Sequence, residues 1–335
     1  MSNAGDDALL ASTWHGLRQI HQARFGQREA PRIAITARQC AFGTPILPYA
    51  QQFRGHDRLA LYLAAMRSNA IVFGGGSTLH TFRDIQLKRH LLNLAKSERH
   101  IAVGIGVGPF HEERAFVQCR KLLNSMAFIG VRDQQSYELC RSMNLNTPLN
   151  LTADLVPSLS SQMDFSACNK PLVERRGIGV SLCPLESIQT GDSTLERQRV
   201  LQLAQVINDA ALYTNEPVVL MDFNGHSMLG DSGLHSLLQM SLAPHVKLER
   251  CFYRNDPARY FKRIGQLRCM LGMRLHAQIF AYLVGTPILS LAYHEKNRGF
   301  AQQIGLPEDQ YFEVNNLSKE KLLLQLLRGL NKGFK

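Results

Sequence analysis

Several features that would narrow the function at once are missing from this 335-residue chain. It contains no uncharged apolar run approaching the roughly 18 to 20 residues that a membrane span requires, and its first residues carry neither the basic nor the apolar region of a signal peptide. A chain that stays inside the cell is the expectation. It has no C-x-x-C pair. The seven cysteines, Cys40, Cys119, Cys140, Cys168, Cys183, Cys251 and Cys269, are scattered and odd in number, which argues against a disulfide framework and against a metal cluster. Most are expected to be reduced, buried small hydrophobes. There is no G-K-[ST] to make a phosphate loop, and "GIGVGP" (Gly104 to Pro109) lacks the third glycine of G-x-G-x-x-G and places a proline where a helix should begin. Internal repeats and low-complexity segments are also lacking.

What is present is ordinary globular composition, 45% hydrophobic and 19% charged, on a chain longer than one core usually supports. Two domains follow from that length. The formal net charge of +11 creates a field that attracts nucleic acid, anionic lipid or an acidic small substrate alike. The basic residues are dispersed in short clusters such as Lys88-Arg89-His90, with no aromatic-interleaved stripe, so no nucleic-acid partner is expected. Peripheral contact with an anionic membrane surface stays open.

Short apolar or β-branched runs alternate with helical patterns along the chain. The runs at 32–36, 70–74, 101–106, 127–131, 177–182, 217–223, 246–249, 269–273 and 287–292 read as strands covered on both faces. Helical periodicity falls at 57–67, 82–95, 112–126, 134–143, 195–212, 257–266, 275–284 and 317–327. Alternation of this kind describes βαβ units and parallel sheets. The aperiodic polar stretch 164–174 is the natural boundary. The expected fold is therefore α/β, with two Rossmann-like domains facing a cleft, at 1–165 and 170–316, and a last helix within 317–335 packing back on the first domain.

Ligands of open parallel sheets sit at the carboxyl ends of strands, where turns present N–H groups and helix dipoles. Two glycine-rich segments fall at such ends: Gly74, Gly75, Gly76 and Ser77 after one strand, and Gly104, Gly106 and Gly108 after the next. They are candidate cleft turns, although a turn built only for close packing would look the same. The segment "LGMRLHAQIFAYLVGTPILSLAYHEK", from Leu271 to Lys296, sets Arg274 and His276 two residues apart where an apolar strand becomes a helix. The two side chains can serve one ligand only if the backbone is still extended there or just entering the helix. Asp6 and Asp7, after Asn3-Ala4-Gly5, are candidates for capping the first helix, orienting a loop or acting as a base. Arg132-Asp133 reads as an ion pair fixing a turn, and Asp222 and His226 lie near another strand end, with acceptor hydroxyls as candidate ligands.

The set "NAGDDALL", "FGGGS", "GIGVGP", "VRDQQS", "TADLV", "GIGVSLCP" and "GMRLHAQIFAYLVGTPILSLAYHEK" resembles the polysaccharide pyruvyl transferases, in which corresponding segments follow in this order over nearly the whole chain. The resemblance implies a GT-B-like arrangement and transfer of a pyruvyl group from phosphoenolpyruvate to a sugar as a cyclic ketal, consuming no metal or nucleotide. It implies that the first domain faces the acceptor and the second the donor. It places Arg274, Leu275 and His276 on the donor. The chemistry of the transfer makes His276 the candidate proton shuttle, while Asp6 as a base and Lys296 reaching the donor are further candidates beside a helix-capping acid and a solvated lysine. The acceptor implied is a sugar of a cell-surface polysaccharide or its lipid-linked precursor, met at the inner face of the membrane. Two departures stand out. The family's strand ahead of its N-x-G-D segment has no counterpart before Asn3, and the arginine frequent before the proline of "SLCP" is Cys183, with Arg175, Arg176 and Arg298 as candidate substitutes. The rival expectations are a glycosyltransferase using a nucleotide sugar and a non-catalytic binding relative.

Overall fold

The computed structural model describes residues 3–26, 31–36, 46–47, 55–168 and 170–332. Cys40 lies outside them. The chain divides into two compact units: Ala8–Gln162, and Met163–Lys335 together with Ser2–Asp7.

In the first unit, strands β3 (Val72–Leu79), β4 (Ile101–Val107), β5 (Phe128–Val131) and β6 (Leu149–Leu151) form a parallel sheet in that spatial order. A two-stranded parallel pair, β1 (Ile35–Thr36) and β2 (Ile46–Leu47), stands separately. The helices are α1 (Ala4–Phe25), which enters this unit from Ala8 onward, α2 (Gly55–Arg67), α3 (Phe82–Ala95), α4 (Glu113–Leu123) and α5 (Gln134–Ser142). Ile105, Ile129 and Val131 of the sheet bury against Ile85, Leu92, Cys119 and Leu122. This is the covered parallel sheet that the β-branched runs imply.

The glycines expected to form cleft turns do something else. Gly74, Gly75, Gly76 and Ser77 lie inside β3, and Gly104 and Gly106 inside β4. Gly75 and Gly76 adopt φ of +72° and +81°, which side chains other than glycine's strongly resist. A Cβ on Gly74 would lie 2.1 Å from Oγ1 of Thr13, and one on Gly75 2.6 Å from Leu9 Cδ2. Helix α1 therefore rests directly on the β3 backbone, and close packing is what these glycines serve. Gly108, just past β4, is closed in by Leu139 in the same way, 2.5 Å from where its Cβ would be.

The second unit is one six-stranded parallel sheet built from β7 (Ile178–Ser181), β8 (Val218–Met221), β9 (Leu248–Cys251), β10 (Cys269–Gly272), β11 (Ile288–Ala292) and β12 (Tyr311–Glu313). Its spatial order is β12-β11-β10-β7-β8-β9. The chain winds outward from β7 to β9, returns, and winds the other way from β10 to β12. The strand order therefore reverses between β7 and β10, the position where doubly wound sheets open a crevice at their carboxyl edge. The helices are α6 (Glu186–Gln189), α7 (Thr194–Thr214), α8 (Ser232–Ser241), α9 (Pro257–Ile264), α10 (Leu275–Leu283), α11 (Glu295–Gln303) and α12 (Lys319–Lys332).

Helix α12 corrects one expectation. It belongs to the second unit, because Leu322, Leu326 and Leu330 recur at four-residue spacing and bury in one core with Leu203, Val206 and Ile207. Short strands β6 and β12 and helices α8 and α11 escape sequence patterning, being brief or strongly polar on their outer faces. If α12 belongs to the second unit, Leu326→Ala should cost about 2–5 kcal/mol of that unit's stability. Hydrogen exchange should then accelerate in α7 and β7 and stay unchanged in β3 to β6; acceleration confined to the first unit would contradict the assignment.

Candidate functional site

The carboxyl edge of the six-stranded sheet gathers polar groups at the point where the strand order reverses. Strand β7 ends into Leu182 and Cys183, and β10 into Met273 and Arg274. Arg274 is extended (φ −67°, ψ 131°) and is the N-cap of α10, so His276 sits on the first turn of that helix. Arg274 returns no side-chain hydrogen bond to the helix it caps. The first N–H groups of α10 and its positive dipole end thus face the edge beside a guanidinium, as anion binding requires. Leu275 is buried, so what it offers there is its backbone N–H.

Arg274 is anchored from below. Its Nε donates to Oδ1 of Asp231 at 3.0 Å, and Nη2 binds the same oxygen. Asp231 is fully buried and also accepts the N–H groups of Phe223 and Asn224, both at 2.9 Å. Burial opposes the charge of Arg274, but its neighbours, Asp231 among them, outweigh that and hold it above the ordinary arginine value. Lys296, on the first turn of α11 at the end of β11, has its ammonium 5.5 Å from the ring of Tyr293. Tyr293 in turn stands beside Cys183, and burial pushes its hydroxyl well above the ordinary tyrosine value. Burial pushes the Cys183 thiol up while Arg274 and Lys296 pull it down, and burial prevails. The edge therefore carries two cations, Arg274 and Lys296, around a neutral Cys183.

None of the candidate substitutes for a missing arginine reaches this place. Arg175 and Arg176 precede β7 and lie at the opposite, amino edge of the sheet. Arg175 donates to the carbonyls of Lys170 (2.7 Å) and Gly285 (2.8 Å), and Arg176 pairs with Glu216 at 3.3 Å. Arg298 is paired with Glu313.

The first turn of α1 docks on the same unit. Ala4 donates its N–H to the carbonyl of Phe223 at 2.8 Å, and Asn3 bridges Asn224. Asn3 also caps the helix, its Oδ1 accepting from Gly5 N at 2.9 Å and Asp6 N at 3.4 Å, a role expected of Asp6 or Asp7. Gly5 is a glycine in a helix, which costs about 1 kcal/mol against alanine. The reason is His276: a Cβ at Gly5 would lie 2.0 Å from Nδ1 of its imidazole. Asp6 is part-exposed on this turn. Asp7 accepts a hydrogen bond from the Tyr253 hydroxyl at 2.7 Å, and burial raises its carboxyl to about 7, the hydrogen bond working against that and the charge of Asp6 adding to it.

Other candidates prove structural. Asp222 is buried and bonds His235, whose Nε2 accepts the N–H of Leu182 at 3.0 Å, and it also takes Arg250 at 3.4 Å. Asp222 is thus shut inside the fold, with its carboxylate turned to His235 and Arg250. His226 holds the turn after β8 by accepting from Met228 N and Leu229 N. In the first unit, Arg132 donates to Ser77 Oγ at 2.8 Å and pairs with Asp154 (3.4 Å) and Asp133 (3.5 Å), while Asp133 caps α5. Gly106 gives this guanidinium room: its Cβ would stand 3.3 Å from Nη2 of Arg132. A separate cavity of about 460 Å³ at the carboxyl end of β4 is lined by Phe110, Phe116, His111, Glu112, Gln135 and neighbouring residues. Sequence reasoning missed Asp231, Tyr253 and Tyr293. A buried aspartate preceding "SGLHSLL" was visible only as a helix-start signal.

Known structures sharing this architecture are GT-B-like sugar-nucleotide enzymes. The fold resembles a putative UDP-N-acetylglucosamine 2-epimerase from Listeria monocytogenes, with 10% identity, TM-score 0.64, 98% of this chain and 86% of that one covered. It also resembles the S. aureus protein MnaA solved with UDP (11% identity, TM-score 0.62, 99% and 89% covered). The UDP-GlcNAc 2-epimerase from Neisseria meningitidis bound to UDP-GlcNAc is similar too (11%, 0.61, 96% and 88%). At such identities the likeness concerns fold alone. The sequence goes further: residues 3–295 match the polysaccharide pyruvyl transferase family, and the chain belongs to that family as an enzyme of this kind.

Two outcomes test the geometry. Gly5→Ala should displace the His276 ring, seen as a shift of its imidazole resonances in the folded protein; unchanged resonances would refute the contact. Asp7 has its carboxyl raised from 3.8 to about 7, so its protonated form favours the folded state. Its contribution is complete below about 4 and is lost as pH rises through 7. Unfolding midpoints of Asp7→Asn should gain on the parent from about pH 4 to pH 7 and level off above it; parallel curves would contradict the burial.

Proposed function

We propose that this enzyme transfers the pyruvyl group of phosphoenolpyruvate to a sugar of a cell-surface polysaccharide or its lipid-linked precursor, forming a pyruvate ketal. The observation carrying the proposal is the grouping of Arg274, Lys296 and the open N-terminus of α10 at the strand-order reversal, with His276 on the same first turn. Phosphoenolpyruvate bears a phosphate and a carboxylate. Two fixed cations and a helix end answer that charge, and a guanidinium does so by charge-assisted, directional hydrogen bonds.

Ketal formation requires a sugar hydroxyl to lose its proton as its oxygen attacks C2 of the donor. The methylene carbon takes up a proton and becomes a methyl group, phosphate leaves with the electrons of its C–O bond, and a second hydroxyl closes the ring. His276 has the chemistry to move one of these protons. Asp6 is the acid of the first turn not engaged by Tyr253, and it is assigned to the attacking hydroxyl. Asp231 keeps Arg274 charged and aimed. Cys183 leaves the donor with one cation fewer than many relatives supply, which weakens binding without removing the anion site.

The acceptor is assigned to the first unit. Its cavity joins the Phe110 and Phe116 rings to Glu112, His111 and Gln135, the mixture of flat apolar surface and hydroxyl-binding groups that sugars use. Among the described residues no helix is long and apolar enough to cross a membrane, and a lipid-linked acceptor would be met from the inner face by a peripheral contact that the net positive charge favours.

The test is phosphate release from phosphoenolpyruvate in the presence of candidate glycans. His276→Ala should lower turnover by about 10²–10⁴-fold. Arg274→Ala should act mainly by raising KM for the donor. Full turnover in His276→Ala would remove it from the chemistry, and cleavage of a UDP-sugar in place of phosphoenolpyruvate would overturn the donor assignment.

A further inference from the structure

Beneath the Arg274 and Lys296 turns lies a buried polar layer that the chemistry above does not use. Gln278 and Asn297 are both fully buried. Gln278, one turn after Arg274 on α10, donates Nε2 to the carbonyl of Gly272 at 2.8 Å. Asn297, next to Lys296 on α11, donates Nδ2 to the carbonyl of Met273 at 3.1 Å. Two amides on two different helices thus hold consecutive carbonyls at the end of one strand, β10. That strand leads directly into Arg274.

The fit around Gln278 is tight. A Cβ on Gly272 would lie 2.8 Å from its Cγ, so the side chain lies flat on the strand where the glycine leaves room. Gly272 pairs in register with Ser181 on one side and Ser290 on the other, and both serines are fully buried. In parallel neighbours at one register the Cβ atoms share a face, so the two hydroxyls flank the glutamine. The hydroxyls of Ser181 and Ser290, Oε1 of Gln278 and Oδ1 of Asn297 have no protein hydrogen-bond partner among the described residues. Each such group costs stability when it is shut away from water. An apolar layer of the same volume would be the more stable choice. A feature that weakens the fold at the edge of a site is one retained for what it positions.

Resting on the reading of this edge as the donor site, we propose that Gln278 and Asn297 are positioning residues: together they fix the first turns of α10 and α11 on the end of β10 and so set the spacing between Arg274, His276 and Lys296. Neither amide touches the donor. Their action is to hold two helix ends in one frame, so that the phosphate and carboxylate of a single molecule meet cations at a constant separation.

The test uses near-isosteric replacements, Gln278→Met and Asn297→Leu, in the full chain. Both remove the clamp and the unsatisfied oxygen together while leaving the Gly272 and Met273 carbonyls without these donors, so the two effects oppose and melting temperatures should change little. KM for phosphoenolpyruvate should nevertheless rise by about 5-fold or more, with a smaller fall in kcat. Amide hydrogen exchange at 274–278 and 295–298 should accelerate at least tenfold without any ligand. Kinetic constants and exchange both equal to the parent's would overturn the proposal, as would lower stability with unchanged KM, since that is a purely structural role. If the parent itself releases no phosphate from phosphoenolpyruvate, the donor reading fails separately. Exchange at the two first turns then decides whether the clamp exists: acceleration sustains it and parental rates overturn it.

Discussion

The second unit depends on one buried carboxylate. Asp231 stands between the end of β8 and the end of β10, taking two backbone N–H groups from the first and a guanidinium from the second. Phe223, which gives it an N–H, offers its carbonyl to Ala4 at the start of α1. One acid therefore secures both the arginine of the site and the chain segment that docks the first turn of α1. Removing one partner of such a buried pair typically costs about 3–5 kcal/mol, because the other charge is left without compensation. The pairing is oriented because Asp231 is buried and its other oxygen is filled by backbone N–H groups.

Around that acid the polar groups separate into those that hold and those that face outward. Asp222, His235 and Arg250 close on one another and brace the β7–β8 side. Tyr293 and Cys183 stand together at the other side, both held neutral by burial. Arg274, Lys296 and the end of α10 remain turned to the edge. The same division holds in the first unit, where Arg132 binds Ser77 and Asp154 across Gly106. Among the described residues Arg132, Arg199, Arg250 and Arg263 are likewise each committed to a nearby carboxylate.

The parallel α/β plan was legible because each buried strand is a short β-branched or apolar run, and the R-x-H turn was legible because a strand, a cation pair and a helix follow one another within ten residues. Residues acting across the sheet were not. Asp231 lies 43 positions before Arg274, and nothing local marks it as a partner. Arg175 looked available from composition, yet an arginine ahead of a strand belongs to the wrong edge, a fact that only strand direction reveals. The glycine runs misled for a different reason. Glycine signals that something approaches the backbone and does not say whether it is a ligand or, as with Leu9 and Thr13, another helix. Asp6 and Asp7 are equivalent in sequence and distinguished in space by a single tyrosine.

The contact between Gly5 and His276 has an entropic side. An imidazole hemmed in by other side chains can gain room when they change rotamer, whereas one that leans on the backbone of a hydrogen-bonded helix faces a wall that does not turn aside. Most of the ring's rotational freedom is surrendered when the chain folds. The absence of a single methyl group at Gly5 thereby sets where the imidazole stands.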